Sequence, residues 1–193
     1  MSISITLHRS GTSRTQQVDT TTTGLDLFGS DRAVVAMRVD GNLVDLQREL
    51  HDGAEVEPVE ATSEDGLNII RHSATHVMAQ AVQQLYPEVN LGIGPFITDG
   101  FYYDFGNIEP VTPEVLSELE KRMKRIVKEN QRFVRRVTTE ESAREELADQ
   151  PYKLELIGTK GKGAEGASVE VGGGELTIYD NVRRNGEVAW KDL

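Results

Sequence analysis

The 193-residue chain contains no cysteine. That absence excludes disulfides, and it excludes any zinc site held by thiolates of these residues alone. No apolar run approaches the ~18 residues of a membrane span. The start, Met1-Ser2-Ile3-Ser4-Ile5-Thr6-Leu7, alternates polar with apolar residues and lacks the basic start and apolar block of a signal peptide. The expected compartment is therefore the cytoplasm, with no membrane partner. Positive charge is also scarce: 21 Lys and Arg stand against 32 Asp and Glu, for a net charge of -11. A chain that grips nucleic acid broadly through phosphate contacts is normally basic. Two local signatures are missing as well, the G-x-x-x-x-G-K-[ST] phosphate loop and the G-x-S-x-G nucleophile elbow. What remains is the composition of a folded protein, 37% hydrophobic and 27% charged, long enough for one large or two small domains.

The first stretch is dense in strand and turn signals. Residues 3–7 and 14–18 read as strands around the turn-rich Arg9-Ser10-Gly11-Thr12-Ser13. A threonine run, Thr20 to Thr23, precedes a short helix over 24–28, and 33–39 is a β-branched, apolar strand. Asp40-Gly41-Asn42 is the kind of sequence that closes a tight hairpin, leading into Leu43-Val44, and 54–59 is a last alternating stretch. This order implies a compact α+β module, with 61–65 as a short polar boundary.

From Leu67 the period changes. Leu67, Ile70, Ala74, Val77, Met78, Ala81, Val82 and Leu85 recur at three- and four-residue steps, one face of an amphipathic helix that stops before Pro87. Glycine-punctuated, aromatic-rich sequence follows over 92–105. Thr112 with Pro113 predicts the start of a second helix, carrying Leu116, Leu119, Met123 and Ile126 on one face. Thr138 with Glu141 has the spacing of a capping box for a third helix. Residues 152–157, 176–179 and 187–190 read as strands, with a glycine-rich hairpin loop or excursion between the first two.

His72 and His76 are four apart on the first long helix and project from one side of it. That side lies nearly opposite the Leu67/Ala74/Leu85 stripe, so the pair is not expected in an ordinary core. It is either exposed or lines a second, polar surface. Two imidazoles at this spacing can supply two partial metal ligands, or a base with its partner, but a third ligand is lacking and no complete metal site is expected. Gly161-Lys162-Gly163-Ala164-Glu165-Gly166 matches G-x-G-x-x-G by letter. It runs into strand-like Ala167-Ser168-Val169-Glu170-Val171 rather than a helix, so a dinucleotide site is not expected. Against the acidic background, Lys121, Arg122, Lys124, Arg125, Lys128, Arg132, Arg135 and Arg136 crowd together. Two readings stay open: a solvated face, supported by Glu118-Arg122 and Glu120-Lys124 at i,i+4 spacing, or an RNA-contact face.

Several motifs, in order, resemble one family. Residues 67–78, Leu-Asn-Ile-Ile-Arg-His-Ser-Ala-Thr-His-Val-Met, resemble the I-R-H-S-x-x-H start of the second domain of threonyl-tRNA synthetases. Residues 91–105 resemble the family's G-I-G-P-x-I-x-x-G-F-Y-Y-D segment, and residues 118–123 its L-E-K-R-M helix. Val39-Asp40-Gly41, Asp45-Leu46 and Asp52-Gly53 resemble the pattern of a TGS module.

The resemblance implies a ubiquitin-like β-grasp TGS domain over 1–62 and an α/β aminoacyl-tRNA editing domain over 63–193. Full-length members join threonine to tRNA(Thr) using ATP, and the editing domain hydrolyses mischarged seryl-tRNA(Thr). Serine is threonine minus a methyl, and rejecting the smaller isostere by shape yields only ~1–3 kcal/mol, so a second hydrolytic site restores accuracy. Carried over by motif, the catalytic candidates are His72, His76, Tyr103, Lys153 (in a strand after the third helix) and Asp192. They would surround the 3′ end of tRNA(Thr), with His72 activating water and Lys153 and Tyr103 orienting substrate and stabilising negative charge.

The family's segment continues Asp-x-Cys-x-Gly-Pro-His, whereas this sequence ends Asp192-Leu193. The expectation is therefore a fragment with an incomplete editing site and without the ligase core, to which ATP, magnesium and zinc belong. No cofactor is expected in these residues. Family members are homodimers, and the fragment is expected to be monomeric. Two alternatives are a non-catalytic TGS-containing RNA-binding or regulatory module and a free-standing editing hydrolase. The first would need the missing phosphate loop, the second the missing Cys and His.

Overall fold

The computed structural model describes residues 1–160 and 176–193. The glycine motif at 161–166 and the strand-like 167–171 lie outside the described residues. The protein is α+β and divides into two compact units, Met1–Ser73 and Ala74–Leu193.

In the first unit the hairpins form because their turns can take left-handed backbone. β1 (Ser2–Arg9) pairs antiparallel with β2 (Thr12–Asp19), closing through Ser10 at φ 50° and Gly11 at φ 76°. β3 (Val34–Val39) pairs with β4 (Asn42–Val44) through Asp40 at φ 51° and Gly41 at φ 80°. Positive φ at both central residues matches the right-handed twist of the flanking strands. β5 (Glu55–Glu60) runs parallel to β1 and antiparallel to β3, giving the order β2-β1-β5-β3-β4. Between the hairpins lies α1 (Gly24–Phe28), opened by a reciprocal box in which Thr23 and Asp26 satisfy each other's backbone. Alternation along β1 and β3 sends Ile3, Ile5 and Met37 inward onto Phe28 and Val56. Each such side chain contributes roughly 1.5–3 kcal/mol by leaving water.

Helix α2 (Glu64–Leu85) starts at Ser63, whose hydroxyl accepts from the Gly66 amide. From Thr75 onward it is buried nearly all round: Thr75, His76, Val77, Ala79, Gln80, Ala81 and Val82 are all inside, whereas Leu67 and Ile70 are exposed. The apolar stripe read from the sequence therefore marks part of the buried face, through Val77, Ala81 and Val82 with Met78 and Leu85 packed beside them, while polar residues fill the rest of it.

In the second unit, four two-residue strands form two ladders. β6 (Asn90–Leu91) pairs with β9 (Phe105–Gly106), and β7 (Phe96–Ile97) pairs with β8 (Gly100–Phe101). Helix α3 (Pro113–Glu129) begins at Thr112, as the Thr-Pro pair predicts, and ends on Asn130 in the left-handed region. Its inward face is Val115, Leu119, Met123 and Ile126. Leu116, expected on that face, is 58% exposed, because it lies one residue round from Val115.

β10 (Arg132–Val137) leads to α4 (Glu140–Glu146). The cap of α4 is Thr139, which accepts from the Ser142 amide, and not Thr138. Residues 152–157, expected as a strand, belong instead to helix α5 (Pro151–Lys160). Gln150, Lys153 and Ile157 are buried at helical spacing, and two of the three are polar, so no apolar period announces the helix. β11 (Thr177–Val182) and β12 (Val188–Asp192) complete a sheet in the order β10-β11-β12. One face of it packs on α2 through Phe133 and Trp190, the other on α4 and α5 through Ile178.

Candidate functional site

The second unit gathers four of the five residues singled out in the sequence. Lys153 comes from α5, Asp192 from the end of β12, Tyr103 from the segment after β8, and His76 from α2. Lys153 Nζ lies 2.8 Å from Asp192 Oδ1, with both side chains 5% exposed. It also donates to Tyr103 Oη at 3.2 Å, and the Tyr103 hydroxyl donates to Asp192 Oδ2 at 3.1 Å. A third donor anchors the carboxylate from the backbone, the Leu193 amide at 2.8 Å.

Burial by itself would raise the Asp192 carboxyl. The Lys153 ammonium, with His76 and the hydrogen bonds, outweighs it and holds the group below the usual carboxylate range. Burial, then the Asp192 charge, pushes the Tyr103 phenol far up, so it remains a protonated donor at any physiological pH. The ammonium has three N–H bonds. Two are directed at Asp192 and Tyr103.

His76 is only 6% exposed. Phe133, Tyr179 and Trp190 surround its ring at centroid distances of 5.9, 5.7 and 5.7 Å. Strand pairing explains this cage. Phe133 is opposite Asn181, Asn181 opposite Trp190, and Tyr179 opposite Asp192, so all five project from one face. Asn181 and Trp190 donate to Gln80 and Gln83 of α2 at 2.9 and 2.6 Å, locking the cage to the helix. Of the two readings left open for the pair, exposure fails for His76, which is buried inside this aromatic cage. His72, one turn earlier, is half-buried and falls in the first unit.

The cage, the amide locks and Gln150 carried no sequence signal. Gln150 accepts from the Leu91 amide at 2.8 Å and donates to the Val89 carbonyl at 3.4 Å, fixing the entry to the glycine segment. Gly94 stands against Tyr103: a Cβ there would lie 2.2 Å from the ring. On the opposite face of the sheet, Arg136 bonds both oxygens of Glu146 and also Asp180, and Lys191 joins Glu146 at 3.0 Å. A cavity of about 660 Å³ opens along β12, lined by Asp192, Trp190, Lys191, Glu146, Gln83 and Gln150 among others. That volume lies within the range of small-molecule sites. Among the described residues no group of three or more His, Asp or Glu is placed to hold a metal ion, and no helix is long and apolar enough to cross a membrane.

Over 99% of its length the chain is 58% identical to a threonine–tRNA ligase of Streptomyces avermitilis. By sequence, the chain belongs with the threonine–tRNA ligases. The ligase of Streptomyces coelicolor is 55% identical over 99% of the chain, and that of Streptomyces griseus subsp. griseus 62% over 91%. The match covers 30%, 30% and 27% of those three proteins, so the chain spans less than a third of the ligases it resembles. No family model matches it.

Proposed function

We propose that this chain is part of a threonine–tRNA ligase and that its second unit belongs to the region that hydrolyses seryl-tRNA(Thr) made in error. The observation that carries the reading is the buried Lys153–Tyr103–Asp192 cluster beside the caged His76, with a cavity at Asp192. Residues 63–193 are read as the editing domain, and 1–62 as a β-grasp TGS domain. The parallel β1–β5 pair flanked by two hairpins supports the latter.

Hydrolysis of the ester adds water across the seryl carbonyl. The carbonyl oxygen becomes an oxyanion, the C–O bond to the terminal ribose breaks, and serine and a free hydroxyl leave. Lys153 supplies the charge that stabilises the oxyanion. Tyr103 and Asp192 hold the ammonium in place, and the fixed cluster needs no reorganisation as charge develops. The assignment of water activation to His72 rests on the motif resemblance alone. ATP, magnesium and zinc belong in this reading to the ligase core, and the cytoplasm is its place of action.

The test is release of serine from seryl-tRNA(Thr), with threonyl-tRNA(Thr) as the control, by the chain and by the full-length S. avermitilis ligase carrying matched substitutions. Lys153→Ala should slow hydrolysis by ~10²–10³, the loss typical of an oxyanion donor. Hydrolysis at the wild-type rate in Lys153→Ala, in both proteins, would sink the assignment.

A further inference from the structure

The basic crowd in 121–136 is where the structure separates two readings left open by the sequence. On α3 the side chains of Lys121, Lys124, Arg125 and Lys128 are all exposed, at steps of three and four residues, so they form one stripe along the helix. A face that merely keeps a helix solvated alternates charge at i,i+4. Part of α3 does so: Glu118 pairs with Arg122 and Glu120 with Lys124. The stripe does not. Lys121 and Arg125, and again Lys124 and Lys128, are like charges at i,i+4, an arrangement that destabilises a helix by a few tenths of a kcal/mol per pair. The acid four residues after Arg125 is Glu129, which faces Arg183 at 3.5 Å and accepts from Gln131 at 2.7 Å. Among the described residues no ion pair forms at Lys121, Arg125 or Lys128. The helix C-terminus favours a cation at Lys128, but it does not reach Lys121 or Arg125. Arg132, exposed at the start of β10, extends the charge beyond the helix.

We infer that this stripe docks the phosphate backbone of the tRNA whose 3′ end enters the proposed hydrolytic site, so the inference rests on that reading. Three unpaired cations over ~10 Å of helix, at ~1.5 Å rise per residue, face outward from a chain that is otherwise strongly acidic. The bulk charge repels RNA and the stripe attracts it, which orients the encounter as well as holding it. An anionic membrane is a poorer occupant, because the apolar face of α3 is already spent on Leu119, Ile126 and their neighbours.

The experiment measures binding of uncharged tRNA(Thr) to the whole chain between 50 and 300 mM KCl, so it needs no hydrolysis. The stripe variant Lys121→Gln/Arg125→Gln/Lys128→Gln should bind at least ~10-fold more weakly at the lowest salt, and its log–log salt slope should flatten by about 2 to 3. Arg14→Gln/Arg32→Gln/Arg48→Gln removes the same charge from exposed positions elsewhere and should change binding less than ~3-fold. The charge-keeping Lys121→Arg/Arg125→Lys/Lys128→Arg should bind like wild type. Equal losses in the two neutralised variants, an unchanged stripe variant, or no binding by wild type at 50 mM would each overturn the inference. So would competition by polyglutamate as effective as tRNA at equal charge. Failure of the hydrolytic reading shows separately, in the Lys153→Ala assay.

Discussion

Substituting Lys153 by Met removes the charge from the buried cluster while keeping most of the side-chain volume. Asp192 then keeps Tyr103 and the Leu193 amide as donors but loses its counter-ion, at a site 5% exposed. Removing one partner of such a pair typically costs ~3–5 kcal/mol, much of it the uncompensated charge rather than the lost contact. The consequence has a pH signature with a definite sign. In the wild type the carboxyl is held below its unfolded value, so its contribution is present above that value and is lost only as pH falls through the folded one. In Lys153→Met, burial dominates, the folded carboxyl binds its proton more tightly than the unfolded one, and stability falls as pH rises. The limiting slope is about 1.4 kcal/mol per pH unit, beginning near the unfolded Asp value of ~3.9. Asp192→Asn added to Lys153→Met removes the stranded charge, so the double variant should be more stable than Lys153→Met at pH 7. The coupling should be at least ~2 kcal/mol. Urea unfolding followed by tryptophan fluorescence reads this directly, because Trp190 is the single tryptophan of the chain and lies in the second unit. Additivity of the two substitutions within ~0.5 kcal/mol, or a Lys153→Met stability that does not vary between pH 4 and 8, would refute the reasoning.

Glu146 is held down to about 2 from 4.5, first by the Arg136 hydrogen bonds and then by Lys191. Its contribution is therefore full above pH 4.5 and lost towards pH 2; with Arg136 and Lys191 34% and 38% exposed, solvent screening reduces it to ~1 kcal/mol. The stability gap between wild type and Glu146→Gln, by the same fluorescence, should narrow as pH falls from 5 to 3, and a constant gap would count against the ion cluster. Gly94→Ala would put a Cβ 2.2 Å from the Tyr103 ring, so Tyr103 must leave its bonds to Lys153 and Asp192. A loss of ~1–3 kcal/mol, and a fall in seryl-tRNA hydrolysis at least as large as in Tyr103→Phe, are expected; an unaltered rate would show that the ring is not needed where it stands.

The first unit was legible nearly strand for strand, because its signals are local. Asp40-Gly41 and Ser10-Gly11 announce their own turns, and Ile3/Ile5 alternate as a half-buried strand must. Thr112-Pro113 likewise marked α3. The candidates Tyr103, Lys153 and Asp192 were named from motif resemblance alone; only His76 also stood out by its helical spacing from His72. The reason lies in the site itself. Lys153 occupies an inward position of α5, Gln150 the position just before it, and His76 and Gln80 inward positions of α2, so the buried polar residues erase the apolar period that would reveal the helices. Asn181 is inaccessible on a strand covered on both faces, where there is no alternation to read.

The pleat of β12 has a consequence for how the gene can change. Asp192 and Trp190 point to the cage, while Lys191 between them points to Glu146 on the other face. A codon gained between Trp190 and Lys191 would exchange the two faces, turning the Lys191 ammonium towards Lys153 and the Asp192 carboxylate to the Glu146 side. The pairing of β11 with β12 shifts between Asn181 and Val182, where Trp190 and Val188 are successive partners and Ala189 is the extra residue. Length variation in this strand is thus expected only on the far side of Ala189, where a bulge already absorbs one residue, and lineages should show no single-residue insertion or deletion across 190–192.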